Sequence, residues 1–143
     1  LMLNHLAECL RLSDGRILHI GGSEPSEPEE LGTLSKSLAE FRLENGLPIW
    51  RYETDSIVLE KHVLFLHGQN TVHINYHLLS GHDNIVLELR PSMHFRGHEH
   101  PVDEKLSNDY QFHAESGHYE IIAPDLLPRL RLVLFGEHAA FTY

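Results

Sequence analysis

The chain has 143 residues, of which 41% are hydrophobic and 22% charged, so it has the length and composition of one globular domain with a real core, not of a disordered segment. Its formal net charge of -10 repels nucleic-acid phosphates and anionic lipid heads, which argues against both as partners and leaves neutral ligands such as sugars open. The single cysteine, Cys9, excludes an internal disulfide and suits a reducing cytoplasm. No apolar run approaches the ~20 residues of a membrane helix.

From the start of the chain, Leu1-Met2-Leu3-Asn4-His5 has no basic segment ahead of an apolar stretch, so it is not expected to be a signal peptide. It already reads as strand, and the native chain is expected to extend upstream. Cys9 falls inside an apolar strand pattern and is expected to be a small buried hydrophobe rather than a nucleophile. Ser13-Asp14-Gly15 is the first turn signal. Residues 21–30 are acidic and rich in Gly and Pro, which predicts a mobile loop. Residues 31–41 are the best helix candidate, weakened by Gly32 and Thr33.

After the turn signal Asn45-Gly46, the dominant pattern is alternation with a period of two, the mark of a half-buried strand. Trp50 and Tyr52 share one strand face there. They are either core or an aromatic platform for sugar rings, and Pro48 suggests an edge strand. Ile57, Leu59, Val63 and Phe65 lie on one face of the next run, interrupted by Lys61. Then Val72, Ile74, Tyr76 and Leu78 oppose Thr71, His73, Asn75 and His77. Ile85, Leu87 and Leu89 repeat the pattern, as do Leu130, Leu132 and Leu134. Turn signals at residues 67–70, 80–84 and 116–117 separate the runs and predict hairpins. The expected fold is a single all-β domain, an antiparallel β-sandwich. The last residues, Ala140-Phe141-Thr142-Tyr143, end without a polar tail, so an extension downstream is also expected.

The chemistry-bearing residues concentrate in one stretch. The chain holds 13 histidines, and His94-Phe95-Arg96-Gly97-His98-Glu99-His100-Pro101 is the densest cluster. His98, His100 and Glu104 have the H-x-H-x3-E spacing that places three ligands round one metal in a cupin barrel. Ser92 and Gln111 stand where the cupin motif has glycine, and no second motif supplies a fourth histidine. A cupin-type metal-dependent small-molecule enzyme using His98, His100 and Glu104 is therefore the alternative function, and histidines hydrogen-bonded in a polar loop are the competing reading. His73 and His77 share a face but lie about 13 Å apart along a strand, too far for one metal. His62 and His67 have a route to His73 across the hairpin. No nucleophile elbow, P-loop or dinucleotide fingerprint occurs, so nothing calls for a cofactor. Glu53, Asp55, Glu60, Glu88, Glu99 and Asp103 are carboxylates by type only, expected to be solvated or paired with Arg51, Lys61 or Arg96.

Three segments together resemble one family. They are Asn45-Gly46-Leu47-Pro48-Ile49-Trp50-Arg51-Tyr52-Glu53; the stretch from Leu59-Glu60-Lys61 through His67-Gly68-Gln69-Asn70-Thr71-Val72 to Tyr76-His77-Leu78-Leu79; and Leu89-Arg90-Pro91-Ser92-Met93-His94-Phe95-Arg96-Gly97-His98-Glu99. Their order and spacing resemble the N-terminal domain of bacterial and archaeal-type glycogen debranching enzymes (amylo-α-1,6-glucosidases), most strongly over residues 45–102. The resemblance implies a large β-sandwich followed by an (α/α) barrel that carries the catalytic carboxylates, so no catalytic residue is assigned in this chain. It also implies that Arg90, His94, Arg96, His98 and Glu99 form a loop facing that barrel or an α-glucan. Trp50 and Tyr52, on their aromatic character alone, are further candidates for a sugar-facing surface. The implied partners are the catalytic barrel and α-glucan, in the cytoplasm. An exposed sheet edge would favour self-association.

Overall fold

The computed structural model describes residues 2–20, 37–54, 56–81, 84–101, 103, 105, 109–115, 117–123, 127–136 and 138–140. Ten strands follow in chain order: β1 (Leu3–Arg11), β2 (Ile17–Ile20), β3 (Leu38–Glu44), β4 (Leu47–Glu53), β5 (Val58–Phe65), β6 (Val72–Ser80), β7 (Val86–Met93), β8 (Gln111–Glu115), β9 (His118–Ile122) and β10 (Leu130–Val133). They form three sheets, ordered β3-β4-β5-β6, β2-β1-β7 and β10-β9-β8. Every pairing whose register is described is antiparallel. The all-β class read from the alternation is therefore the class that forms, and among the described residues there is no α-helix.

The helix expected over residues 31–41 is corrected where it is described. Residues 38–41 belong to β3, and residues 31–36 lie outside the described residues. The physical reason is the alternation that begins at Glu40: Glu40, Arg42 and Glu44 take one face and Phe41 and Leu43 the other. Residues 21–30, read as a mobile loop, also lie outside the described residues. A second correction concerns Pro48. Its strand, β4, is not an edge but lies between β3 and β5. The β4–β5 pairing begins only at Ile49↔His62, so Pro48 stands outside that ladder and its missing N–H leaves no gap in it. Asn45 and Gly46 join β3 to β4 with φ of 51° and 81°. Two successive positive φ values mark a type I′ turn, whose twist matches the flanking strands.

The chain divides into two compact units, Ala7–Arg90 and the combination of Leu1–Leu6 with Pro91–Tyr143. In Ala7–Arg90 two sheets face each other as a β-sandwich. Leu10 from β1 and Ile20 from β2 meet Tyr52 from β4 and Leu59 from β5, with Ile57 between, and Trp50, Tyr76 and Leu87 pack at the margin. Leu10 is only 1% exposed, and full burial of such a side chain contributes about 1.5–3 kcal/mol. Cys9 is buried as expected of a small hydrophobe. In the other unit, Phe95, Ile121 and Ala123 form the core, flanked by Met2, Met93, Tyr110, Leu130 and Leu132.

Candidate functional site

The polar loop singled out in the sequence begins where β7 ends. The His94 backbone N–H donates to the Met2 carbonyl at 2.8 Å, and Phe95 then turns into the core, 5.4 Å from the Tyr110 ring centroid. These two anchors hold the start of the loop. His94 is half-buried, and its Nε2 is buried with no hydrogen-bond partner among the described residues. Arg96 Nη1 donates to the His100 carbonyl at 2.7 Å, closing the loop across four residues. A turn from Gly97 to His100 brings the His100 ring against Gly97, within 3.1 Å of where a Cβ would stand. His98, Glu99 and His100 are exposed. Glu104, the third member of the cupin-like spacing, lies outside the described residues, and among the described residues no group of three His, Cys, Asp or Glu side chains is placed to hold a metal.

The remaining sequence candidates belong to Ala7–Arg90. Arg90 is exposed, and its Nε donates to Glu88 at 2.7 Å. Glu88 also accepts from Arg11 Nε at 2.5 Å, and these two guanidiniums, Arg11 first, hold its carboxyl below the usual range. Tyr52 is 6% exposed and sits in the core, and burial pushes its phenol pKa up. Trp50 is half-buried against the same core, with the Phe41 ring 5.3 Å away and Lys61 Nζ 5.9 Å from its ring centroid. Of the two readings open for this pair, packing describes their surroundings.

The histidines and carboxylates of the four-stranded sheet sort themselves on its outer face. The imidazoles of His62 and His77, not of His62 and His73, come together, with ring centroids 4.7 Å apart. The register explains it: Glu60↔His77 and His62↔Asn75 are directly opposed, so His62 and His77 are diagonal neighbours. Glu60 lies between Arg42 Nη1 at 2.9 Å and His62 Nε2 at 3.0 Å. Hydrogen bonds from Arg42 and then His62 bring its pKa down to about 2. Glu53 pairs with Arg51 at 2.6 Å, one of the pairings expected for these carboxylates. Lys61 instead turns inward to Glu8.

One surface was not legible in the sequence. His113 and Glu115 on β8, His118 and Glu120 on β9, and Arg131 and Val133 on β10 share one face of the β8-β9-β10 sheet. With Gly117, Leu134 and Phe135 they line an open groove of about 650 Å3. Phe135 is 86% exposed. Glu120 accepts from Arg131 Nε at 2.5 Å and from Arg129 Nη1 at 3.1 Å, and the two guanidiniums, Arg131 first, lower its pKa. The alternation in Leu130, Leu132 and Leu134 was the only available signal. Within β10, Leu130 and Leu132 mark the face packed on the core, but this says nothing of which polar residues on β8 and β9 lie beside Arg131.

The family whose profile matches is described as "Glycogen debranching enzyme N terminal", and the match runs over residues 1–142. No curated protein and no solved structure matches the chain. Among the described residues no helix is long and apolar enough to cross a membrane. The match extends well beyond the three segments that first carried the resemblance, and on that coverage the chain belongs to the glycogen debranching enzyme N-terminal family.

Proposed function

We propose that this chain is the non-catalytic N-terminal domain of a cytoplasmic glycogen debranching enzyme, that it packs on a C-terminal (α/α) catalytic barrel, and that it shapes the cleft receiving α-1,6-branched glucan. The family match over residues 1–142 carries the reading. The electrostatics support the non-catalytic part. A glycosidase needs one carboxylic acid whose pKa is raised so that it can protonate the leaving group. Among the described residues the carboxyls with a shifted pKa all move the other way: arginine guanidiniums hold Glu60, Glu88 and Glu120 ionised, and the Arg16 backbone N–H and then its side chain hold Asp14.

Arg90, His94, Arg96, His98 and Glu99 are assigned to the surface facing the barrel or its glucan. For direct glucan contact the groove over β8, β9 and β10 has the more suitable chemistry. An exposed aromatic ring stacks on the apolar face of a pyranose, and Glu120, Arg131, His113 and His118 supply acceptors and donors for hydroxyls. Trp50 and Tyr52 are assigned to packing.

The test combines turnover and binding. The purified protein releases no glucose from α-1,6-branched dextrin, and release at an ordinary enzyme rate of about 1–10³ s⁻¹ overturns the non-catalytic reading. Calorimetric titration with maltoheptaose shows binding that Phe135→Ala abolishes, while Trp50 emission stays constant. Wild-type protein that binds no maltoheptaose removes the glucan contact.

A further inference from the structure

The two edges of the four-stranded sheet are built differently. The β3 edge carries Glu40, Arg42 and Glu44 and a register shift between Leu38 and Glu40. Charges and irregularities of this kind keep an edge from pairing with another chain. The β6 edge has neither along its regular part. From Val72 to Leu78 it contains no Lys, Arg, Asp, Glu or Pro, and its register with β5 is unbroken until the shift opposite Val58 and Leu59. Among the described residues only β5 pairs with it. Val72 and Leu78, at the two ends of the regular stretch, are 50% and 48% exposed.

That stretch is also a palindrome of side-chain class: Val72-His73-Ile74-Asn75-Tyr76-His77-Leu78. An antiparallel strand laid beside its own copy pairs residues symmetrically about a centre, and paired residues share a face. With the centre at Asn75, Val72 meets Leu78 and Ile74 meets Tyr76 on the apolar face. His73 meets His77 and Asn75 meets Asn75 on the polar face. A shift by one residue would set the polar face of one copy against the apolar face of the other. No like charges from acidic or basic residues are opposed. Phe65, 65% exposed and directly opposite Val72 on β5, extends the apolar surface beside each end of the seam.

We propose that β6 pairs antiparallel with β6 of a second copy of this chain, about a twofold axis at Asn75, joining two four-stranded sheets into one of eight strands. This inference does not depend on the glucan reading. Light scattering after gel filtration at about 100 µM, where mass action favours association, shows a dimer for the wild-type protein. Asn75 is exposed, so Asn75→Lys leaves the thermal melt of the monomer unit in place while setting lysine against lysine, and it runs as a monomer. Asn75→Cys forms a disulfide-linked dimer on mild oxidation, because only the residue on the axis faces itself. His67→Cys, in an exposed turn, and the wild-type protein with its buried Cys9 do not. A monomeric wild type, a dimer that survives Asn75→Lys, or Asn75→Cys that fails to cross-link each overturns the proposal.

Discussion

Lys61 Nζ lies 2.7 Å from Glu8 Oε1, joining β5 of one sheet to β1 of the other inside the Ala7–Arg90 sandwich. Glu8 is 5% exposed and also accepts a hydrogen bond from the Tyr76 hydroxyl; burial and then this bond push the Tyr76 phenol pKa up. The lysine that interrupts an otherwise apolar strand face is thus the counter-ion of a buried carboxylate.

The pair predicts an asymmetric mutational response. Lys61→Met leaves the Glu8 carboxylate buried without a cation and costs about 3 kcal/mol, within the range for breaking a buried pair. Glu8→Gln keeps an acceptor for Tyr76 and leaves a lysine whose side chain, 19% exposed, can extend toward water, so it costs about 1 kcal/mol. The double variant costs less than the sum of the singles. Urea unfolding of the four proteins checks the order, and equal costs for the two single changes would contradict it.

Glu60 predicts a pH dependence. Its carboxyl falls from 4.5 to about 2 on folding, through hydrogen bonds from Arg42 and then His62. A depressed folded-state pKa means that the folded protein binds the proton less well than the unfolded chain. The stabilisation is complete above 4.5 and is lost as pH falls through about 2. Arg42 and Arg51 are partly exposed, so solvent screening limits the contribution to about 1–2 kcal/mol. Glu60→Gln therefore lowers stability at pH 6 by that amount and flattens the fall in urea midpoint between pH 5 and pH 2. A variant that loses stability on acidification as steeply as the wild type would falsify this account.

At the β3–β4 turn, Gly46 sits at φ 81° with open space where a Cβ would stand. Gly46→Ala therefore isolates the cost of a left-handed backbone, about 1 kcal/mol, with no steric clash added. A shift in thermal midpoint of a few degrees with unchanged strand content in circular dichroism is the expected result. An unchanged midpoint would mean that the turn opens without loss.

The sequence by itself determined the all-β class, most of the strands, the Asn45-Gly46 hairpin and the burial of Cys9. Each of these is local. Alternation at Val72, Ile74, Tyr76 and Leu78 is a property of one strand, and consecutive positive φ values suit Asn-Gly wherever it stands. The tertiary structure alone decided which strands are neighbours and which polar groups meet. Glu8 and Lys61 are separated by 53 residues, and nothing near either one announces the other. His62 meets His77, not His73, because the β5–β6 register sets the diagonal. The groove assembles from three strands whose polar faces were unremarkable one at a time. A period of two says which face a side chain takes, whereas register and sheet order say what it faces there, and those are settled by long-range packing.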